Sequence, residues 1–265
     1  MQKLVRYRFI FNVVQQAIVI SDSVILFLRV VGRRFIALGI VGMMPSQRVP
    51  RDTPIRYLDL GTHKEADELK IMVEQILPRF SRDVLAFGFE GRADFIKEAQ
   101  NKLSSNSRVT FVHGALCQKA RTGGKVRLYK SDGDGLDSSL YRPDYQGYEE
   151  VDAICLSDWI QRNKIDVERA IFLLRMNIEG AEYDVIKDLV ESGISRHVDG
   201  YYGMWDDLSK IDRRRDIDFR DLLRKAGIHK VTFNGRDLAH AFRVFSIKFD
   251  VCTQIRAALR RKFGS

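Results

Sequence analysis

The sequence predicts an α/β fold: a mainly parallel sheet of seven strands with helices on both faces, preceded by a helical extension. Three observations carry this. From residue 55 onward, short β-rich runs alternate with longer runs whose apolar residues recur at three- and four-residue steps, the alternation that builds parallel sheets. One run, AIFLLRMNI (170–178), is apolar almost throughout, as a central strand covered on both faces must be. The 265 residues have room for one substantial domain plus an extension, and not for two full domains.

The extension comes first. Between Phe9 and Leu28 the chain is mostly apolar, and Asn12, Gln15, Gln16, Asp22, Ser23, Arg29 and Arg33 form a narrow polar stripe at helical spacing. Placing Asp22 at a bilayer centre would cost about 2.5–3.5 kcal/mol, so the stripe argues against a spanning helix. Gln15, Gln16 and Asp22 also interrupt what a signal peptide would need. Three readings stay open: an in-plane membrane anchor, a helix docked on a second subunit (a homodimer), and a helix packed on its own domain. A Pro/Ser linker ends the segment, so residues 1–49 read as amphipathic extension and linker, 50–250 as the main domain, and 251–265 as a basic tail.

Charge follows the same division. Of the net +9, residues 1–50 carry +6 and residues 251–265 carry +4, leaving 51–250 at −1. Basic, apolar ends on a neutral middle suit an anionic membrane surface and give no sign of a nucleic-acid partner. Cys117, Cys155 and Cys252 have neither zinc-ligand spacing nor an even count, which fits a reducing compartment. The expected location is cytoplasmic, with a peripheral position on the inner face of a membrane.

Along the main domain, IRYLDL (55–60) reads as the first strand and KEADELKIMVEQIL (64–77) as its helix, with Leu69, Met72, Val73, Ile76 and Leu77 on one face. DVLAFGFE (83–90) and RADFIKEAQNKL (92–103) repeat the pair, and RVTFVHGAL (108–116) is a third strand entering a turn. Residues 124–156, rich in Gly, Asp, Ser and Tyr, read as an inserted hairpin and loop, and SDWIQRNK follows as a short helix. After the central strand come a helix at 180–193, a strand at HVDGYYG, a helix at DFRDLLRKAG, and two last strands at HKVTFNG and FRVFSIKFD, joined closely enough to pair antiparallel.

In open α/β sheets ligands bind beyond the C-terminal strand ends, and three such ends hold chemistry. Asp59 and Gly61 sit where the first strand turns into its helix, and a glycine permits close backbone approach. Glu90 ends the second strand, where an acid can accept both hydroxyls of a ribose; the plain alternative is a solvated acid at a helix start. A dinucleotide is disfavoured, because Lys64 and Glu65 stand where further glycines would be. At the mouth of the central strand, Asn177, Glu179 and Glu182 surround Gly180, polar groups that packing alone does not explain.

The order DLG, AFGFEGRADF, VTFVHGAL, GLDSSL, VDAICLSDWI and LLRMNIEGAEYDVI, over residues 55–195, resembles the FkbM family of methyltransferases. The resemblance implies a Rossmann-like class I methyltransferase fold, S-adenosyl-L-methionine as cofactor, and transfer to a hydroxyl oxygen of a sugar, lipid or secondary metabolite. On this basis Asp59, Gly61, Thr62, Glu90, Gly91, His113, Gly114, Ala115, Ser138 and Asn177 are the candidate cofactor-binding residues. Glu179 and His63 are the candidate catalytic residues near a small-molecule acceptor, since either can take a hydroxyl proton. No metal is expected. The chain departs from the family in Thr62-His63-Lys64-Glu65 after Gly61, and in Arg175 and Asn177 where Lys and Asp are usual. These departures favour a second reading, a catalytically silent scaffold at a membrane surface. A nucleic-acid methyltransferase is disfavoured: the sequence has neither an Asn/Asp-Pro-Pro-aromatic motif nor a Pro-Cys nucleophile.

Overall fold

The computed structural model describes residues 52–118, 123–130, 138–145, 147–203, 205, 208–231 and 240–263; the expected extension at 1–49 lies outside them. All belong to one unit, Val49–Ser265. Its strands are β1 (Ile55–Leu60), β2 (Val84–Glu90), β3 (Val109–His113), β4 (Ala115–Leu116), β5 (Lys125–Lys130), β6 (Gly147–Ile154), β7 (Ile171–Met176), β8 (Val198–Gly203) and β9 (Lys230–Val231). The helices are α1 (Asp67–Lys70), α2 (Ala93–Leu103), α3 (Leu156–Arg162), α4 (Glu182–Glu191), α5 (Leu208–Ile211), α6 (Arg213–Lys225) and α7 (His240–Phe263).

The main sheet has the order β3-β2-β1-β7-β8-β9, and every pairing in it is parallel. β7 lies between β1 and β8, and all six of its residues are buried, as its unbroken apolar run requires. The order reverses between β1 and β7, where a sheet of this kind opens a crevice at its C-terminal edge. The inserted hairpin is β5 antiparallel to β6, with β4 added to β6 as a second, three-stranded sheet.

Strand alternation divides the core into two layers. Ile55, Tyr57, Ile171 and Leu173 face one side and meet Met72 and Val73, Ala99 and Leu103 of α2, and Ile247, Val251 and Ile255 of α7. Leu58, Leu60, Leu174 and Met176 face the other side and meet Leu156 of α3, Val185 and Leu189 of α4, and Phe219 of α6. The helices therefore cover both faces of the sheet. Trp205 is buried in the second layer, with Trp159 packed against it.

Two elements differ from the sequence reading. FRVFSIKFD, read as a seventh strand, is the first part of the 24-residue helix α7, so the described sheet has six strands, and the expected antiparallel last pair is absent among the described residues. The segment read as a basic tail continues the same helix, which buries Ile247, Val251, Ile255, Ala258 and Leu259. That i, i+4 stripe closes one layer of the core, and burial of this stripe overrides the near-alternation of residues 242–250. The expected 64–77 helix starts only at Asp67 and widens at Ile71–Ile76 into a π-helical stretch, a form found often beside functional sites.

Candidate functional site

At the C-terminal end of β1 the chain turns sharply. Gly61 has φ +81°, and a Cβ there would overlap the carbonyl oxygen of Asn177, so only glycine fits the turn. Its amide donates to Phe89 O at 2.9 Å, the amide of Thr62 to the same oxygen at 3.0 Å, and that of Asn177 to Leu60 O at 2.9 Å. These bonds hold the ends of β1, β2 and β7 together. His63 and Ala66 follow in the left-handed region, at φ 62° and 50°, which is uncommon for residues with a side chain.

Glu90 closes β2. One carboxylate oxygen accepts the His63 amide and the other the Arg92 amide, each at 2.9 Å. Burial pushes its carboxyl above the usual carboxylate range, opposed by the backbone N–H groups of Arg92, His63 and Gly91. A carboxylate has about four acceptor positions, so Glu90 fixes the two turns beside it and keeps capacity for a further donor.

At the end of β7 the chain makes a second tight turn, with Glu179 at φ 49° and Gly180 at φ 99°. The carboxylate of Glu182, 3% exposed, accepts the amides of Ile178 at 2.9 Å and Gly180 at 2.8 Å. From outside, the Ser139 hydroxyl donates to Glu179 O at 2.6 Å. The turn that carries Glu179 is thus pinned on both sides.

These ends enclose one cleft. Of the residues expected at a site, Gly61, His63, Glu90, Gly91, Gly114, Ala115, Ser138, Asn177 and Glu179 line it together. Asp59, Thr62 and His113 are placed elsewhere. Asp59 is fully buried and bonded at 2.8 Å to Arg175, since alternation along β1 turns it to the side of Tyr57, away from Leu58 and Leu60. Thr62 is buried, and its hydroxyl donates to Asp59 O at 3.0 Å. The His113 ring is exposed, with Nε2 at 3.0 Å from Gly91 O.

The apolar walls were not foreseen. Phe89, Phe95, Leu116, Leu128, Leu140 and Ile178 complete the cleft. Phe89 could have been read from its place beside Glu90, whereas Leu128 and Leu140 come from the insertion and reach the cleft only through the fold. A further cluster went unread: Asp184 of α4 accepts from Gln118 at 2.7 Å and from the Tyr141 hydroxyl, and pairs with Arg215 at 2.6 Å. It ties the segment that carries Ser138 and Leu140 to α4 and α6.

The lining therefore combines apolar walls with two carboxylates, Glu90 and Glu179, one imidazole, and among the described residues no Lys or Arg. Such a lining favours a ligand with apolar faces, hydroxyl donors and positive charge, and no Lys or Arg among its described residues stands ready to neutralise a pyrophosphate.

A family model described as Methyltransferase FkbM domain matches residues 60–203. The chain belongs to this family. The FkbM domain runs from the last residue of β1 to the last of β8, so it contains every residue of the cleft named above, while α6, β9 and α7 lie beyond the match. Membership points to a methyltransferase, and the cleft stands where an α/β sheet of this order binds its ligands. Among curated proteins and among solved structures no match is found.

Proposed function

We propose that this FkbM-family protein is an S-adenosyl-L-methionine-dependent O-methyltransferase acting on a hydroxyl of a small sugar, lipid or secondary metabolite. The observation that carries the reading is the charge of the cleft: two carboxylates and no described cation, which suits a nucleoside bearing a sulfonium. Bound there, the cofactor supplies an electrophilic methyl group. The protein's own tasks are then to hold, to align and to accept a proton.

Glu90 would accept ribose hydroxyls with the lone-pair capacity its backbone donors leave. Phe89, Phe95 and Leu116 supply the apolar surface a purine needs, with Gly114 and Ala115 beside them. Gly61 and Asn177 bring backbone close to the ligand, and Ser138 adds a hydroxyl from the insertion. Glu179 and His63 are the groups within the cleft able to take the acceptor's proton. The lack of a described Lys or Arg on the walls argues for an acceptor whose methylated end carries no phosphate or carboxylate.

Calorimetric titration with S-adenosylhomocysteine tests this. The protein is expected to bind it, and Glu90→Ala to weaken binding by about 1.5–3 kcal/mol, the range for hydrogen bonds to a charged group. No heat and no thermal shift with the wild-type protein would leave the silent-scaffold reading in its place. A screen of hydroxylated acceptors with isotopically labelled S-adenosylmethionine then identifies the class of product.

A further inference from the structure

Arg175 does not itself line the cleft, yet it bonds from behind to Gly61, which does. It stands in β7 opposite Asp59 in register, with a side chain 8% exposed, on the layer away from the cleft. A guanidinium serving only to neutralise an aspartate does best as a fork, with two parallel N–H bonds to both carboxylate oxygens. The fork is not formed here. Nη1 lies 2.8 Å from Asp59 Oδ1 and also 2.8 Å from Gly61 O, and Nη2 lies 3.6 Å from Glu68 of α1. Asp59 Oδ2 and Arg175 Nε have no hydrogen-bond partner among the described residues. The arrangement gives up half of an ion pair and gains the carbonyl of the cofactor turn and the start of the next helix.

What it grips is a strained segment. Gly61, His63 and Ala66 all have positive φ within six residues, and the helix that follows is π-wound. Conformations of this kind persist only where the surroundings over-determine them. The Gly61 amide is fixed by Phe89 O, its carbonyl by Arg175. We propose that Arg175 is a positioning residue for the ligand cleft: acting through Gly61, it holds the 61–66 turn in the one conformation that brings Gly61 and His63 to the wall. The proposal rests on the cleft being an S-adenosyl site.

The test uses the full chain, S-adenosylhomocysteine as probe, calorimetry for affinity and thermal unfolding for the fold. Arg175→Met should bind about tenfold to a hundredfold more weakly, well below its own unfolding transition, as the loss of a charge-assisted hydrogen bond predicts. Arg175→Lys, which keeps a cation able to reach an acceptor, should recover most of the affinity. The double variant Asp59→Asn/Arg175→Met removes the carboxylate left uncompensated in the core, so it should regain thermal stability and remain weak in binding. A double variant that regains both would reduce Arg175 to a stabilising ion pair and overturn the proposal. Wild-type binding with an unaffected Arg175→Met would overturn it too, while leaving the cofactor reading intact. Failure of the wild type to bind would remove both.

Discussion

Glu90 decides how the cleft responds to pH. Burial raises its carboxyl above the usual range, so the folded protein holds the proton more tightly than the unfolded chain. Its contribution to stability is full below the unfolded carboxylate pKa and is lost as pH rises through the raised folded value. Ligand binding runs the other way, because accepting ribose hydroxyls needs the ionised carboxylate. Affinity for S-adenosylhomocysteine is expected to decline on acidification, starting above the ordinary carboxylate range, and Glu90→Gln should flatten that profile. Over the same interval the thermal midpoint of Glu90→Gln should gain on wild type as pH rises. Parallel profiles in calorimetry and melting would mean that Glu90 does not titrate there. Glu90 was legible because it ends a strand beside the turn at Gly61, two constraints that residue spacing records. The place of Asp59 was not legible from the motif, because it follows the alternation: Tyr57 and Asp59 share a face, and the cleft lies on the other one.

At the scale of elements, α7 shows what a short window hides. In FRVFSIKFD the residues Phe242, Val244, Ile247 and Phe249 come close to alternating, which reads as a strand. The deciding pattern, Ile247, Val251, Ile255 and Leu259 at four-residue steps, needs a window twice as long and crosses into what charge alone marks as a tail. Ile255 is fully buried, and its neighbour Arg256 is exposed. Ile255→Ala is therefore expected to cost about 2–5 kcal/mol, and Arg256→Ala less than about 0.5 kcal/mol, both read from urea unfolding. Similar small effects would mean that α7 does not close the core. Strands β1, β2, β3 and β7 were legible because Gly61, Gly91, Gly114 and Asn177 follow them directly. The π-helical widening at Ile71–Ile76 was not, since apolar residues three and four apart mark an α-helix and a π-helix alike.

On the whole molecule, part of the charge is structural. Asp199, at the start of β8, is buried and accepts the Phe172 amide at 2.9 Å, while Arg261 and Lys262 of α7 approach it at 2.5 and 2.8 Å. Lys262 also donates to Ala170 O at 2.6 Å. Two of the four cations at the C-terminal end thus hold α7 to the sheet. No helix among the described residues is long and apolar enough to cross a membrane. We propose that the +6 of residues 1–50 carries an attraction to an anionic surface. The full chain is expected to sediment with anionic vesicles and to be released by high salt, whereas residues 50–265 should stay largely in the supernatant. A full chain that ignores vesicles and runs as a dimer would assign the apolar stripe to a subunit interface.

The placing of α7 has a consequence for how the protein is made. The layer it covers contains Ile55 and Tyr57, among the first residues of the domain to leave the ribosome, and their cover is encoded in the last. Until α7 is made, Met72, Val73, Ala99 and Leu103 cover only part of that apolar face of β1 and β7, and the nascent domain carries the rest exposed. Such a surface draws chaperones or misassociates. A stop codon ahead of α7 would release a chain with its cleft residues complete and part of the sheet beneath them uncovered.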